Sequence, residues 1–111
     1  MSIGFKSLKK RSDFLKLREN CSSFKTANFI FNVKIDKSVS VPVVGITVSN
    51  KIGNAVKRNY LKRIIRSIVV NNLNSMPKNT KLEIIPKKQI EKKKYSALEK
   101  DFLDTVKNLV I

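Results

Sequence analysis

The 111-residue sequence contains no histidine, no tryptophan and a single cysteine, Cys21. These absences exclude a Cys/His zinc site, a disulfide framework and histidine-based acid–base catalysis within the chain. Cys21 is interpreted as a small apolar filler, because no histidine is present to activate it as a nucleophile. A lone thiol fits a reducing compartment, so a cytoplasmic location is expected.

Long apolar runs and acidic residues are also scarce. No run reaches the length of a membrane span, and residues 1–10 lack the apolar core of a signal peptide. Eight Asp and Glu residues stand against 24 Lys and Arg, for a net charge of +16. Such an excess destabilises a compact chain through self-repulsion, which indicates an anionic partner such as nucleic acid. The length predicts one domain, residues 1–111, and 41% hydrophobic residues suffice for a packed core.

The first third of the chain predicts a short helix and then a strand. A helix is expected over residues 12–18, with Ser12 or Asp13 as its N-terminal cap. Residues 24–35 alternate with period two, which is typical of a strand with one buried face. The alternation assigns one side to the core and leaves the other side semi-polar and open. The core side holds Phe29, Phe31, Val33 and Ile35, and the open side holds Asn28, Ile30, Asn32 and Lys34.

The remainder predicts two more strands and two more helices. The nearly continuous apolar stretch over residues 39–49 indicates a central strand. A long helix is expected over about residues 54–73, a short strand over 82–85 and a last helix over 95–111. The last helix should bury Leu98, Phe102, Val106 and either Leu109 or Val110. This order predicts an α+β sandwich in which helices cover one face of the sheet.

The long helix carries the densest positive charge in the chain. Gly53 and Asn54 suit a tight turn and a helix cap. Projection at about 100° per residue separates an apolar stripe from a basic face. The stripe contains Val56, Tyr60, Leu61, Ile64, Ile65 and Ile68. The candidate RNA-binding residues are Lys51, Lys57, Arg58, Asn59, Lys62, Arg63 and Arg66.

The spacing of these cations favours a polyanionic ligand. Arginine can donate two parallel hydrogen bonds to a phosphate, and lysine supplies a point charge beside it. No acidic residue occurs between Lys51 and Leu82, so sequence neighbours cannot neutralise the basic face. The sequence therefore indicates nucleic-acid binding through this helix.

A cleft for single-stranded nucleic acid is a second hypothesis. Phe14 and the open sheet face, with Ile30, Asn32, Thr47 and Ser49, offer stacking and hydrogen-bonding groups. Phe14 is equally well interpreted as a core residue.

No catalytic site is apparent in the sequence. The eight carboxylates show no paired motif, and Glu99, Asp101 and Asp104 are placed on the exposed side of the last helix. A phosphate-binding glycine loop is also missing. We therefore expect no catalytic residue, metal site or cofactor in the protein itself.

Residues 45–66 resemble the signature of bacterial ribonuclease P protein subunits. That family has a strand ending in Gly-x-Ser-Val-Ser, then Lys-x-Gly-Asn-Ala-Val, Arg-Asn-Arg and further cations along the helix. The matching segments here are Gly45-Ile46-Thr47-Val48-Ser49, Lys51-Ile52-Gly53-Asn54-Ala55-Val56 and Arg58-Asn59-Tyr60, followed by Lys62, Arg63 and Arg66. Weaker similarity extends over nearly the whole chain.

The resemblance implies a fold and a function. The fold is an α-β-β-β-α-β-α sandwich with a left-handed β-α-β crossover, as in the second domain of a small-subunit ribosomal protein. The function is that of a protein subunit that helps a catalytic RNA remove the 5′ leader from precursor tRNA. In such an enzyme the RNA and its Mg²⁺ ions perform the hydrolysis. The expected partners are ribonuclease P RNA and precursor tRNA, with no DNA and no membrane.

The resemblance also implies roles for individual residues. The basic helix would contact the catalytic RNA, and a cleft would hold the leader. The leader-binding residues carried over are Phe14, Ile30, Asn32, Thr47, Ser49 and Lys87. Several positions depart from the family pattern. Tyr60 replaces an arginine, and Arg18 and Asn32 stand where aromatic residues are frequent. The family also often has Arg in place of Ala27 and Ala-Arg in place of Pro86-Lys87.

Other classes of basic protein fit less well. A structural RNA-binding protein, such as a ribosomal component, would share the charge but has no need of a cleft beside the helix. A helix-turn-helix DNA-binding protein needs a helix, not a strand, before the basic helix. A membrane-surface protein is disfavoured because the apolar side of the helix has no Trp or Phe.

Overall fold

The computed structural model describes residues 5–88, 90 and 94–108. One sheet with the strand order β1-β4-β5-β3-β2 forms its centre. The strands are β1 (Lys6–Ser7), β2 (Ser22–Lys25), β3 (Phe29–Ile35), β4 (Val43–Ile46) and β5 (Thr80–Pro86). The helices are α1 (Arg11–Glu19), α2 (Ala55–Asn71) and α3 (Tyr95–Asn108), with single 3₁₀ turns at Asn50–Ile52 and Leu73–Ser75.

The sheet combines antiparallel and parallel pairs. β3 pairs antiparallel with both β2 and β5, whereas β4 pairs parallel with both β5 and β1. Helix α2 connects β4 to its parallel neighbour β5, which is the crossover expected from the resemblance. The mixed α+β fold is confirmed, and the hand of the crossover stays a prediction. β5 is the middle strand of the five, and β4, the strand within residues 39–49, is interior as predicted because it pairs with both β1 and β5.

Helices cover both faces of the sheet, so the expectation of one covered face is wrong. On one face, α2 and α3 pack over the main core. On the other face, α1 buries Leu17, and its Phe14 ring lies against Gly45. The reason lies in β4, where Val43 and Val44 are both buried although consecutive strand residues point to opposite faces. The main core contains Phe29, Phe31, Val33, Val44, Leu61, Ile65, Ile68, Leu82, Ile84, Leu98, Phe102 and Val106.

The predicted strand over residues 24–35 is a hairpin. Its turn is held by Asp101 of α3, which accepts hydrogen bonds from Thr26 Oγ1 at 2.8 Å and from the Asn28 backbone N–H at 3.1 Å. Asp101 and Glu99 are both half-buried, so their placement on an exposed side is wrong, whereas Asp104 is exposed as predicted. Asn28 is buried, and Ile35 is 55% exposed, both opposite to the alternation. Asn28 immediately precedes β3 and Ile35 ends it, so the neighbouring turns decide their exposure.

The start of α1 differs from expectation, whereas the buried side of α3 agrees with it. The N-terminal cap of α1 is Lys10, without a side-chain cap bond, and Asp13 lies in the first helical turn. An acidic residue there still interacts favourably with the helix dipole. In α3 the predicted inward residues Leu98, Phe102 and Val106 are buried. The alternatives Leu109 and Val110 lie outside the described residues.

Candidate nucleic-acid interface

The turn before α2 fixes where the basic helix begins. Gly53 has φ +156° and ψ −162°, a backbone region that is essentially restricted to glycine. The side chain of Asn54 then caps the helix by accepting a hydrogen bond from the Lys57 N–H at 3.0 Å. Arg58 Nη1 donates to the Gly53 carbonyl at 2.7 Å. The predicted turn and cap are therefore confirmed, and Arg58 is tied to the turn instead of being fully free for a ligand.

The basic face of α2 is exposed to solvent. Its opposite side buries Leu61, Ile65 and Ile68 against the core. Among the described residues, the side chains of Lys51, Lys62, Arg63 and Arg66 take part in no ion pair. We use the name basic surface for the exposed members of the predicted set. They are Lys51, Lys57, Asn59, Lys62, Arg63 and Arg66.

Two residues of the predicted apolar stripe are not buried. Val56 is 77% exposed and Tyr60 is 60% exposed. At about 100° per residue, Tyr60 lies roughly 100° and Val56 roughly 140° around the helix from Leu61. The buried arc around Leu61 and Ile65 therefore leaves both residues on the flank of α2. Tyr60 there lines an open groove between α2 and α3 that Tyr95 also lines.

A second candidate surface lies on the opposite face of the sheet, beside α1. Ser23, Asn32, Glu83 and Gly45 are neighbours in register across β2, β3, β5 and β4, so their positions share this face. In the next row, Ile30 pairs with Ile85, and both are half-buried.

Side chains from α1 and the end of β4 complete this surface. The Phe14 ring lies over Gly45, and the Arg18 guanidinium carbon is 5.9 Å from the centre of that ring. Thr47 follows Gly45 on the same side. We call this surface the cleft, defined by Phe14, Arg18, Ile30, Asn32, Thr47 and Ile85.

The floor of the cleft holds a buried carboxylate, Glu83, which the sequence analysis missed. Its Oε1 accepts hydrogen bonds from Arg18 Nε at 2.9 Å and from Asn32 Nδ2 at 3.0 Å. Its Oε2 accepts from Arg18 Nη2 at 2.5 Å and from Thr47 Oγ1 at 2.6 Å. The single acidic residue inside the apolar run 82–85 was the one available signal, because an ionised group buried in a central strand needs partners.

The ionisation of this pair follows from its contacts. Burial alone would raise the pKa of Glu83, but the hydrogen bonds from Arg18, Thr47 and Asn32 outweigh it and lower that pKa. The hydrogen bond to Glu83 in turn raises the pKa of Arg18. Both groups are therefore charged at neutral pH, and the pair fixes the position of Arg18.

The structure brings four of the six predicted leader-cleft residues together: Phe14, Ile30, Asn32 and Thr47. Ser49 lies beyond β4, where its hydroxyl accepts a hydrogen bond from the Lys51 N–H at 3.1 Å and caps the 3₁₀ turn. Lys87 follows β5, and its Nζ donates to the Thr26 carbonyl at 2.5 Å. Ser49 and Lys87 are therefore both engaged with backbone groups.

Replacement of Gly45 by alanine should destabilise the protein and displace Phe14. A Cβ at position 45 would lie 2.5 Å from Phe14 Cε1 and 2.9 Å from Leu8 Cβ, which is too close for either contact. Overpacking of this kind costs about 1–3 kcal/mol. Urea denaturation of Gly45→Ala measures the loss. Unchanged stability would show that the Phe14 ring does not rest on the sheet at this point.

Comparison with known proteins places the whole described fold in one family. The family model for ribonuclease P matches residues 4–110. A ribonuclease P protein component from Streptococcus pneumoniae is 32% identical over 100 residues, covering 90% of this chain and 80% of the relative.

Solved structures agree with the sequence comparison. The RNase P protein of Thermotoga maritima aligns with a TM-score of 0.85 and 27% identity, covering 93% of this chain and 96% of that one. The Staphylococcus aureus RNase P protein matches in fold, with a TM-score of 0.80 and 24% identity over 96% of this chain and 95% of that one. None of the helices among the described residues has the length and apolarity needed to cross a membrane.

Proposed function

Because the chain belongs to the ribonuclease P protein family, we propose that its two surfaces bind two different RNAs. Membership makes the chain a component of the ribonuclease P endoribonuclease, with ribonuclease P RNA as its partner. In the proposal, the basic surface binds that RNA and the cleft binds the single-stranded 5′ leader of precursor tRNA. Hydrolysis of the leader bond is assigned to the RNA and its Mg²⁺ ions.

The observation that carries the proposal is the placement of the two surfaces. Helix α2 packs on one face of the sheet and turns its cations outward, whereas the cleft lies on the other face beside α1. One small domain can therefore present a separate surface to each of two RNA elements. This arrangement suits a subunit that positions a substrate relative to a catalytic RNA.

The chemistry of each surface matches its proposed ligand. Lys62, Arg63 and Arg66 present charge without ion-pair partners in the described part of the chain, as binding to phosphates requires. In the cleft, Phe14 offers a ring, and Ile30 and Ile85 offer half-buried apolar surface. Such groups bind unpaired nucleotides better than a duplex, whose bases are stacked away from the protein.

Replacement of Phe14 by alanine tests the cleft. In the complex with ribonuclease P RNA, Phe14→Ala should weaken binding of leader-bearing precursor tRNA about ten-fold, since base–aromatic stacking contributes about 1–3 kcal/mol. Mature tRNA should bind as before. Phe24→Ala is a matched control, because Phe24 is exposed at 37% and lies on β2 outside the cleft. Equal losses for precursor and mature tRNA would show that Phe14 only supports the fold.

A further inference from the structure

The Glu83 carboxylate accepts more hydrogen bonds than the stability of the sheet requires. The residue is 0% exposed and lies in β5, the central strand. Its two oxygens accept four hydrogen bonds, from Arg18, Asn32 and Thr47. A well-packed apolar side chain at such a place is commonly as stabilising as a buried ion pair. The carboxylate therefore indicates a role other than stability. The group that it holds most firmly is the Arg18 guanidinium, which donates two of the four hydrogen bonds.

Arg18 keeps hydrogen-bonding capacity that the protein does not use. A guanidinium has five N–H donors, and Glu83 receives one from Nε and one from Nη2. Among the described residues, the guanidinium donates to no other acceptor. The Arg18 side chain is 43% exposed, so the three remaining donors have access to solvent at the edge of the cleft.

The position of these donors is fixed before any ligand binds. The two hydrogen bonds to Glu83 set the plane of the guanidinium, and the Phe14 ring lies 5.9 Å from its carbon. A free arginine loses rotamer freedom when it binds a ligand, whereas an arginine held in this way has already lost it. The fork of N–H groups matches the oxygens of a phosphate.

We propose that Glu83 is a positioning residue that presents Arg18 as a phosphate-binding group of the cleft. The inference rests on the proposed function, since the phosphate is one of the leader backbone. The leader is then held at this point by its backbone, independently of base identity. Asn32 and Thr47 assist indirectly, because their hydrogen bonds keep the carboxylate in place beneath the guanidinium.

Single neutral linkages in the leader provide the test. Precursor tRNAs carrying one methylphosphonate, an uncharged phosphate analogue, at successive leader positions are bound to the complex of protein and ribonuclease P RNA. With the natural protein, one position should lower affinity about ten-fold, as expected when a charge-assisted hydrogen bond is removed. With Arg18→Met, the all-phosphate substrate should bind about ten-fold more weakly than with the natural protein. A methylphosphonate at that leader position should then cause no further loss of affinity.

Two conservative variants separate positioning from charge. Arg18→Lys keeps the charge but loses the fork, and should recover only part of the affinity. Glu83→Gln keeps the shape of the cleft floor and leaves Arg18 charged. A smaller loss of affinity from the methylphosphonate at the same leader position would therefore show that Glu83 acts through Arg18. If Arg18→Met does not fold, because it leaves a buried carboxylate unpaired, Arg18→Met combined with Glu83→Leu removes both charges and carries the same test.

The outcomes distinguish this inference from the function on which it rests. If the natural complex binds precursor and mature tRNA equally, the leader-binding role itself is wrong and the inference falls with it. A second result would overturn only the inference. In that result the natural complex prefers precursor tRNA, but a methylphosphonate at each leader position lowers affinity equally with the natural and the Arg18→Met protein. Equal response of Glu83→Gln and the natural protein would remove the positioning role of Glu83.

Discussion

Replacing Lys62, Arg63 and Arg66 together with alanine should weaken binding of ribonuclease P RNA about a hundred-fold at near-physiological salt. All three side chains are exposed on α2, and within the described part of the chain none is in an ion pair. For each phosphate that the variant no longer binds, the slope of log affinity against log salt should become shallower by about 0.7–0.9. The measurement is a binding titration of the RNA at several salt concentrations.

The choice of residues and control sharpens this experiment. Arg58 is left unchanged, because its hydrogen bond to the Gly53 carbonyl supports the turn before α2. A control protein with Lys37, Lys78 and Lys100 replaced by alanine loses the same charge from exposed sites outside the basic surface. If both triple variants lose affinity equally, binding depends on net charge alone and α2 is not the interface.

Replacing Glu83 with alanine should destabilise the protein more than replacing Gly45 with alanine. The change removes four hydrogen bonds to a charged group and leaves Arg18, Asn32 and Thr47 without their acceptor. Breaking a buried pair costs about 3–5 kcal/mol, and the half-exposed Arg18 places the loss near 3 kcal/mol. Thermal denaturation should show a fall in Tm of roughly 10 °C or more. A fall of only a degree or two would show that the network contributes little to folding.

The same carboxylate predicts how stability changes with pH. Because the pKa of Glu83 is lowered in the folded state, the unfolded chain takes up this proton at a higher pH. Its stabilising contribution is therefore complete above the unfolded pKa, about 4.3, and is lost as pH falls through the folded value. Asp36 acts in the same direction, since hydrogen bonds from Ser38 and Lys81 lower its pKa to about 2. Denaturation of Glu83→Gln, Asp36→Asn and the natural protein is compared at neutral and acid pH. The comparison assigns the loss of stability in acid to each carboxylate.

Local patterns in the sequence predicted the elements that position the basic surface. The alternation of Phe29, Phe31 and Val33 with polar or smaller groups gave the buried face of β3 correctly. Gly53 and Asn54 predicted the turn and cap of α2, because glycine alone tolerates that backbone and asparagine caps helices well. These features depend on residues a few positions apart, so one segment contains all the information.

The network under the cleft depends on residues far apart in the chain. Glu83 is 65 residues from Arg18 and 51 from Asn32, and no periodicity connects them. Only the three-dimensional structure shows that Arg18 and Asn32 both bind one carboxylate. The prediction that helices cover only one face of the sheet failed for a similar reason, because α1, which buries Leu17, reaches the other face only through tertiary packing.

The most direct test of the central claim is cleavage of precursor tRNA at low Mg²⁺ concentration. Three reactions are compared: ribonuclease P RNA alone, the protein alone, and both together. We expect removal of the 5′ leader only in the combined reaction, because in the proposed function the RNA performs the hydrolysis and the protein binds both the RNA and the leader. Tight binding of the RNA without any stimulation of cleavage, or cleavage by the protein alone, would contradict this account.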